Sequence, residues 1–257
     1  LKQCFSWWSF VNRGLSDDNL LKEAKAIGYD GVELLSENLF PAAHDLGLEI
    51  VTHNGHGSID DGLNDPKNLD RIEREIERNL ELAVQNNIQK LIVFSGRRSL
   101  EIGDDEGLEN TVNALRRLAP LAESAGVSLV LELLNSRVDH PDYQCDSMSW
   151  AATAIKHTAS SAVKILYDIY HAQVMEGDII RTLRCCSELI GHYHTAGCPG
   201  RHDLDQHQEI YYPAVLKAVA ETGYDGYIGH EFIPSNHARY GLISAYELTL
   251  VATSPVA

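Results

Sequence analysis

Short apolar runs alternate along the chain with longer stretches in which apolar residues recur every three or four positions. Eight such pairs can be counted, with strands expected at 2–8, 31–34, 49–53, 90–94, 128–133, 164–168, 192–195 and 226–230. Several of these runs are apolar almost throughout, as strands covered on both faces of a parallel sheet should be. The clearest helical pattern spans 68–86. Leu69, Ile72, Ile76, Leu80 and Ala83 fall on one stripe, and Asp70, Arg71, Glu73, Arg74, Glu77 and Arg78 on the opposite, solvated face. Asp65-Pro66 and Ser16-Asp17-Asp18 mark helix starts, because Asp and Ser accept free backbone N–H groups, Pro suits the first turn and carboxylates favour the positive helix end. Gly28 and Gly126 mark helix ends. The tetrapeptide Gly-Tyr-Asp-Gly follows two such helices, at Gly28 and again at Gly223. This alternation without a break predicts an α/β chain forming a single (β/α)8 TIM barrel over residues 1–257. The competing architecture, an open doubly wound sheet, lacks the GxGxxG turn that a dinucleotide site would need.

Charge narrows the partners. Lys and Arg number 21 against 37 Asp and Glu, a formal charge of −16, which repels a phosphate backbone. No apolar run approaches the roughly 18 residues of a membrane span. The expected partner is therefore a small molecule, with neither nucleic acid nor membrane; the sequence admits a homo-oligomer. Five cysteines, an odd number without a CxxC pair, argue against a disulfide framework or a cysteine zinc site. Adjacent Cys185 and Cys186 read as small apolar residues of a helix. The expected compartment is the cytoplasm, or the periplasm if an export signal preceded Leu1.

In barrels of this kind the chemistry sits at the C-terminal strand ends. The last four expected strands deliver, in order, Glu132, Asp168, His194 and Glu231. One acid after an apolar run could be a cap or a satisfied core group; four at equivalent positions are a constellation. Three carboxylates converging on one volume repel unless protons or a cation compensate. The set predicts one divalent metal held by Glu132, Asp168, His194 and Glu231. The oxygen-rich ligands favour Mn²⁺ or Mg²⁺ over Zn²⁺ or Co²⁺. Strand parity puts His192 on the face of His194, one layer deeper, and turns His230 away toward the helices if Glu231 points inward.

At these residues the sequence resembles the xylose-isomerase-like TIM-barrel superfamily. The resemblance rests on Glu132-Leu-Leu-Asn135, Tyr167-Asp168-Ile-Tyr-His171, His192-Tyr-His194-Thr-Ala-Gly197, Gly200-Arg201-His202, Glu209-Ile-Tyr-Tyr-Pro213 and Gly229-His-Glu231-Phe. It spans nearly the whole chain and is strongest from 126 to 234. Within the superfamily the chain is most similar to the hydroxypyruvate isomerase branch, which includes 2-oxo-tetronate isomerases. The resemblance implies a metal on the same four residues, with Glu132 and Glu231 also acting as the acid/base pair. It implies that His171 and Arg201 contact the substrate. The chain departs from that branch at His194, where Gln is frequent, and at the Trp7-Trp8 start and Asn54-Gly55-His56-Gly57.

Such a site can polarise a carbonyl next to a hydroxyl, so that the neighbouring C–H becomes acidic and an enediolate develops. Glu132 and Glu231, from the fifth and eighth expected strands, would take and return the proton, with the choice of base left open. Arg201 would stabilise the developing anion, His171 would bond a substrate oxygen and His53 would close the pocket. Glu33 offers a similar but more structural carboxylate; an inward Trp7 or Trp8 either stacks on a sugar or fills the core; Asp139-His140 reads as lid or surface. The expected activity is hydroxypyruvate-isomerase-like. The alternatives are a ketose 3-epimerase, a β-eliminating lyase of 3-keto glycosides, and a metal-stabilised sugar-binding protein without catalysis. An endonuclease-like role would need more metal ligands and a basic groove.

Overall fold

The computed structural model describes residues 1–254. Among these residues nine strands are present: β1 (Lys2–Ser6), β2 (Gly31–Glu33), β3 (Glu49–Ile50), β4 (Thr52–Asn54), β5 (Lys90–Val93), β6 (Ser128–Glu132), β7 (Val163–Asp168), β8 (Ile190–Thr195) and β9 (Tyr227–His230). The helices are α1 (Trp7–Phe10), α2 (Asp17–Ile27), α3 (Phe40–Asp45), α4 (Leu69–Asn86), α5 (Asp104–Ala125), α6 (Met148–Thr158), α7 (Ile169–Met175), α8 (Ile179–Cys186), α9 (Tyr212–Glu221) and α10 (Ala238–Thr253). The one expected strand at 49–53 is parted at Val51 into β3 and β4, so eight expected strands become nine.

The backbone clusters into two compact units. The first comprises Leu1–Val51, Asp178–Ser187 and the chain from Tyr193 onward. Here β1 lies parallel to both β2 and β9, with Cys4 opposite Gly31 on one side and Gly229 on the other. Its core is aromatic: Phe5 meets Phe10 and Tyr29 edge-on, and Phe10 meets Phe232 at 4.9 Å. Such edge-to-face pairs add about 0.5–1.5 kcal/mol each beyond the area they bury. The buried Tyr29 hydroxyl is satisfied by the Leu242 carbonyl at 3.0 Å, which fixes α10 to this core. Gly28 ends α2 at φ 122°, a conformation that suits glycine. Strand β1 is shorter than expected: it stops at Ser6, and Trp7 and Trp8 begin a helical turn instead of extending the strand.

The second unit holds Thr52–Gly177 and Glu188–His192. Strands β4 to β7 run parallel, with His53, Leu91, Leu129 and Val163 in successive register. Helix α4 buries Ile72, Ile76, Leu80 and Ala83 of the expected stripe, and Leu69 at its start is half-buried. Full burial of Ile and Leu side chains is worth about 1.5–3 kcal/mol each. Asp65 accepts Lys67 N–H at 2.9 Å and opens a short 3-10 turn (Pro66–Asn68) before α4. Ser16 stands at the start of α2 without a side-chain cap bond. Cys185 and Cys186 lie in the last turn of α8, exposed and half-exposed rather than in the core. No disulfide forms among the described residues, and none of their helices is long and apolar enough to cross a membrane.

Candidate active site

Glu231 follows β9 and is held from several sides. Trp8 Nε1 donates to its Oε1 at 2.8 Å, and Arg201 Nη2 donates to its Oε2 at 2.6 Å. The His194 Nδ1 atom lies 3.0 Å from Oε2. Burial alone would raise the Glu231 pKa; nearby His194 and Arg201 outweigh it and hold the carboxyl down to about 2. The Arg201 guanidinium also stacks over the Trp8 ring at 5.4 Å. Arg201 follows Gly200 in the loop after β8, with its own backbone at φ 55°. On the other side of His194, Nε2 lies 3.2 Å from Glu33 Oε1, and Ser6 Oγ donates to that same oxygen at 3.2 Å. A side chain at Gly229 would run into both Glu33 and His194, so the strand can carry only glycine there without displacement. The neighbouring His230 turns away: its ring meets Thr195 Oγ1 at 2.8 Å and Gln3 Oε1 at 3.1 Å. Burial pushes its pKa down to about 3, against the pull of Glu33.

Asp168 closes β7 and opens α7. Its Oδ1 accepts the backbone N–H groups of Tyr170 at 2.8 Å and His171 at 3.1 Å, an N-cap that locks the carboxylate's direction. His171 therefore lies in the first turn of α7, with Nε2 3.7 Å from Asp168 Oδ2. Glu132, at the end of β6, is buried, and its carbonyl accepts the Tyr143 hydroxyl at 3.0 Å. His53 stands in β4, half-buried.

Glu132 and Asp168 are buried in the second unit, and His194 and Glu231 in the first. Each offers a ligand atom of the kind that binds a metal ion. Buried carboxylates are costly unless charge compensates them, and hard oxygen donors with an imidazole suit a divalent cation.

Two features of the site carry no mark in the sequence. The first is the Trp8 indole on Glu231: strand parity would place a tryptophan inward or outward, but the helical turn at Trp7 decides its direction. The second is the cluster of Asn135, Asp139 and Tyr170 around His171. Asp139 stands four residues past Asn135 in a polar loop, as any surface aspartate might.

Buried carboxylates and an imidazole thus stand at or beside the C-terminal ends of β6, β7, β8 and β9. Residues 21–247 match the family described as xylose isomerase-like TIM barrel, and the chain belongs to it. A 2-oxo-tetronate isomerase of Pectobacterium atrosepticum is 28% identical over 232 residues, 86% of this chain and 88% of that protein. A Drosophila melanogaster relative with a provisional hydroxypyruvate isomerase name is 31% identical over 170 residues, 65% of this chain and 63% of that protein. Among solved structures, an AP endonuclease of family 2 from Brucella melitensis superposes with a TM-score of 0.84 at 21% identity, covering 94% of this chain and 97% of that one. This last likeness bears on the fold alone.

Proposed function

We propose that the chain is a divalent-metal-dependent isomerase of small hydroxy-carbonyl compounds, hydroxypyruvate-like, built as one barrel domain. The observation that carries this reading is the burial of Glu132, Asp168, His194 and Glu231 at or beside the C-terminal ends of β6 to β9, and the isomerase names of its relatives support it. Glu132, Asp168, His194 and Glu231 would hold Mn²⁺ or Mg²⁺. When bound, the ion supplies Lewis acidity toward a carbonyl and its neighbouring hydroxyl.

The chain's own residues do the rest. One of Glu132 and Glu231 removes the proton from the hydroxyl-bearing carbon, and the substrate becomes an enediolate. The protonated carboxyl, which exchanges its proton with solvent, delivers a proton to the former carbonyl carbon, and the hydroxyl proton passes to the other oxygen, so the aldehyde or ketone and the alcohol exchange places. Glu231 is held for this by Trp8 and Arg201, and the guanidinium adds positive charge beside the developing anion. His171 donates to a substrate oxygen, and His53 borders the pocket.

Incubation of the Mn²⁺-loaded protein in D₂O with hydroxypyruvate, small ketoses and 3-keto glycosides, followed by NMR, tests the reading. Isomerised product with deuterium at the carbon next to the carbonyl, lost in Glu231→Gln, is the expected result. Inversion at that carbon would instead make the chain an epimerase, and loss of the C1 aglycone from a 3-keto glycoside, with the C2 proton removed and a C1–C2 double bond formed, a lyase. Binding without exchange or product across the panel would reduce it to a sugar-binding protein.

A further inference from the structure

Asp139 reads in the sequence as a lid or surface residue, yet its carboxylate is tied inward. Its Oδ2 accepts from the Asn135 side-chain amide at 2.6 Å and from the Tyr170 hydroxyl at 2.7 Å. The same amide nitrogen lies 2.6 Å from His171 Nδ1, and the backbone N–H of Asn135 donates to that ring atom at 3.1 Å. The Asn135 oxygen accepts the backbone N–H groups of Val138 and Asp139 at 3.0 and 2.9 Å. Every polar atom of the Asn135 amide is thus matched in one orientation, with nitrogen on acceptors and oxygen on donors. A neutral imidazole has one donor and one acceptor nitrogen. With Nδ1 receiving hydrogen bonds, the proton belongs on Nε2.

We propose that Asp139 is a positioning residue for His171: acting through the Asn135 amide, it holds the imidazole in the Nε2–H tautomer and fixes its ring, so that His171 meets a substrate oxygen as a donor. What that donor does rests on the isomerase reading; the tautomer is a property of the protein alone. Asp139 is acceptor-only when ionised, so it admits just one orientation of the Asn135 amide. An amide at position 139 can present either oxygen or nitrogen. With nitrogen presented there, the Asn135 side-chain N–H loses its second acceptor and its hold on the ring weakens; Nδ1 then keeps only the Asn135 backbone N–H, and the Nε2–H form is favoured less strongly over the Nδ1–H form, which has no donor at Nε2.

The test uses the full-length ¹⁵N-labelled, metal-free protein at mildly alkaline pH, with long-range ¹H–¹⁵N spectra of the histidine rings and His171→Gln for assignment. The wild type is expected to show His171 as a single Nε2–H tautomer. Asp139→Asn should give mixed or exchange-broadened His171 nitrogen signals. In the Mn²⁺-loaded enzyme its kcat should fall roughly tenfold, more than KM changes, in the range typical of residues that orient a functional histidine. Tyr170→Phe, which removes the other donor to the same carboxylate, should shift the signals in the same direction by less, and it substitutes if Asp139→Asn does not fold. An Nδ1–H tautomer in the wild type overturns the proposal, as do unchanged His171 signals in the variants. Failure of the wild type to turn over any substrate counts against the isomerase reading and leaves the tautomer measurement to decide this one.

Discussion

Glu231 shows how much of a site's chemistry resides in the neighbours of one residue. Trp8 holds one of its oxygens and Arg201 the other, with His194 alongside. Replacing it with Gln keeps the shape and removes the charge. Turnover in Glu231→Gln is expected to fall by at least about 10²–10⁴, the usual contribution of a general acid or base, while circular dichroism reports an intact fold. Trp8→Phe keeps a ring over Arg201 but loses the indole donor. Hydrogen bonds to charged groups are worth about 1.5–3 kcal/mol, and the partial exposure of Trp8 reduces this. Its kcat is expected to fall by a few-fold to about tenfold, measured under saturating substrate, with thermal stability near that of the wild type. Of these residues, Glu231 was legible from its place after an apolar strand. Trp8 was not, because its role depends on where the strand gives way to a helical turn.

At the scale of the element, Asp168 has two duties that substitution can separate. It caps α7 through Oδ1 and is one of the four residues proposed to hold the metal. Asp168→Asn retains a capping oxygen, so its melting temperature without metal should stay close to the wild type. Asp168→Ala should lose about 0.5–2 kcal/mol, the range for removal of an N-cap. Both variants should lose Mn²⁺ affinity by calorimetry. Equal metal-free stability of the Asn and Ala variants would show that the cap contributes nothing. The elements were legible wherever periodicity was long, as in α4, whose apolar stripe is the buried one. They were not where a strand is interrupted. Val51 parts β3 from β4 through a change in backbone pairing, and no side-chain pattern encodes it.

For the whole molecule, acid is expected to lower stability and added Mn²⁺ to raise it. His56 is buried, its Nε2 accepts Phe94 N–H at 3.0 Å, and burial lowers its pKa to about 4. A histidine whose folded pKa is depressed takes up its proton more readily when unfolded. The stability it supports is present above the unfolded pKa near 6.5 and is lost as pH falls toward about 4. His230 adds the same trend down to about 3. Thermal melts are therefore expected to show falling stability from about pH 6.5 downward, with a shallower slope in His56→Gln. Excess Mn²⁺ should raise the melting temperature, by the equivalent of about 2.7 kcal/mol at a hundredfold excess over Kd, and should leave Asp168→Ala unmoved. The sequence by itself determined the alternation of strands and helices, the family, and the strand-end positions of Glu132, Asp168, His194 and Glu231. It could do so because burial imposes period and because a charged group after an apolar run is conspicuous. Only the tertiary structure decided which neighbours hold those groups. The indole of Trp8 on Glu231 and the Asp139–Asn135–His171 chain depend on backbone turns and on distances of about 3 Å, and a polar residue in a loop carries no periodicity from which either could be read.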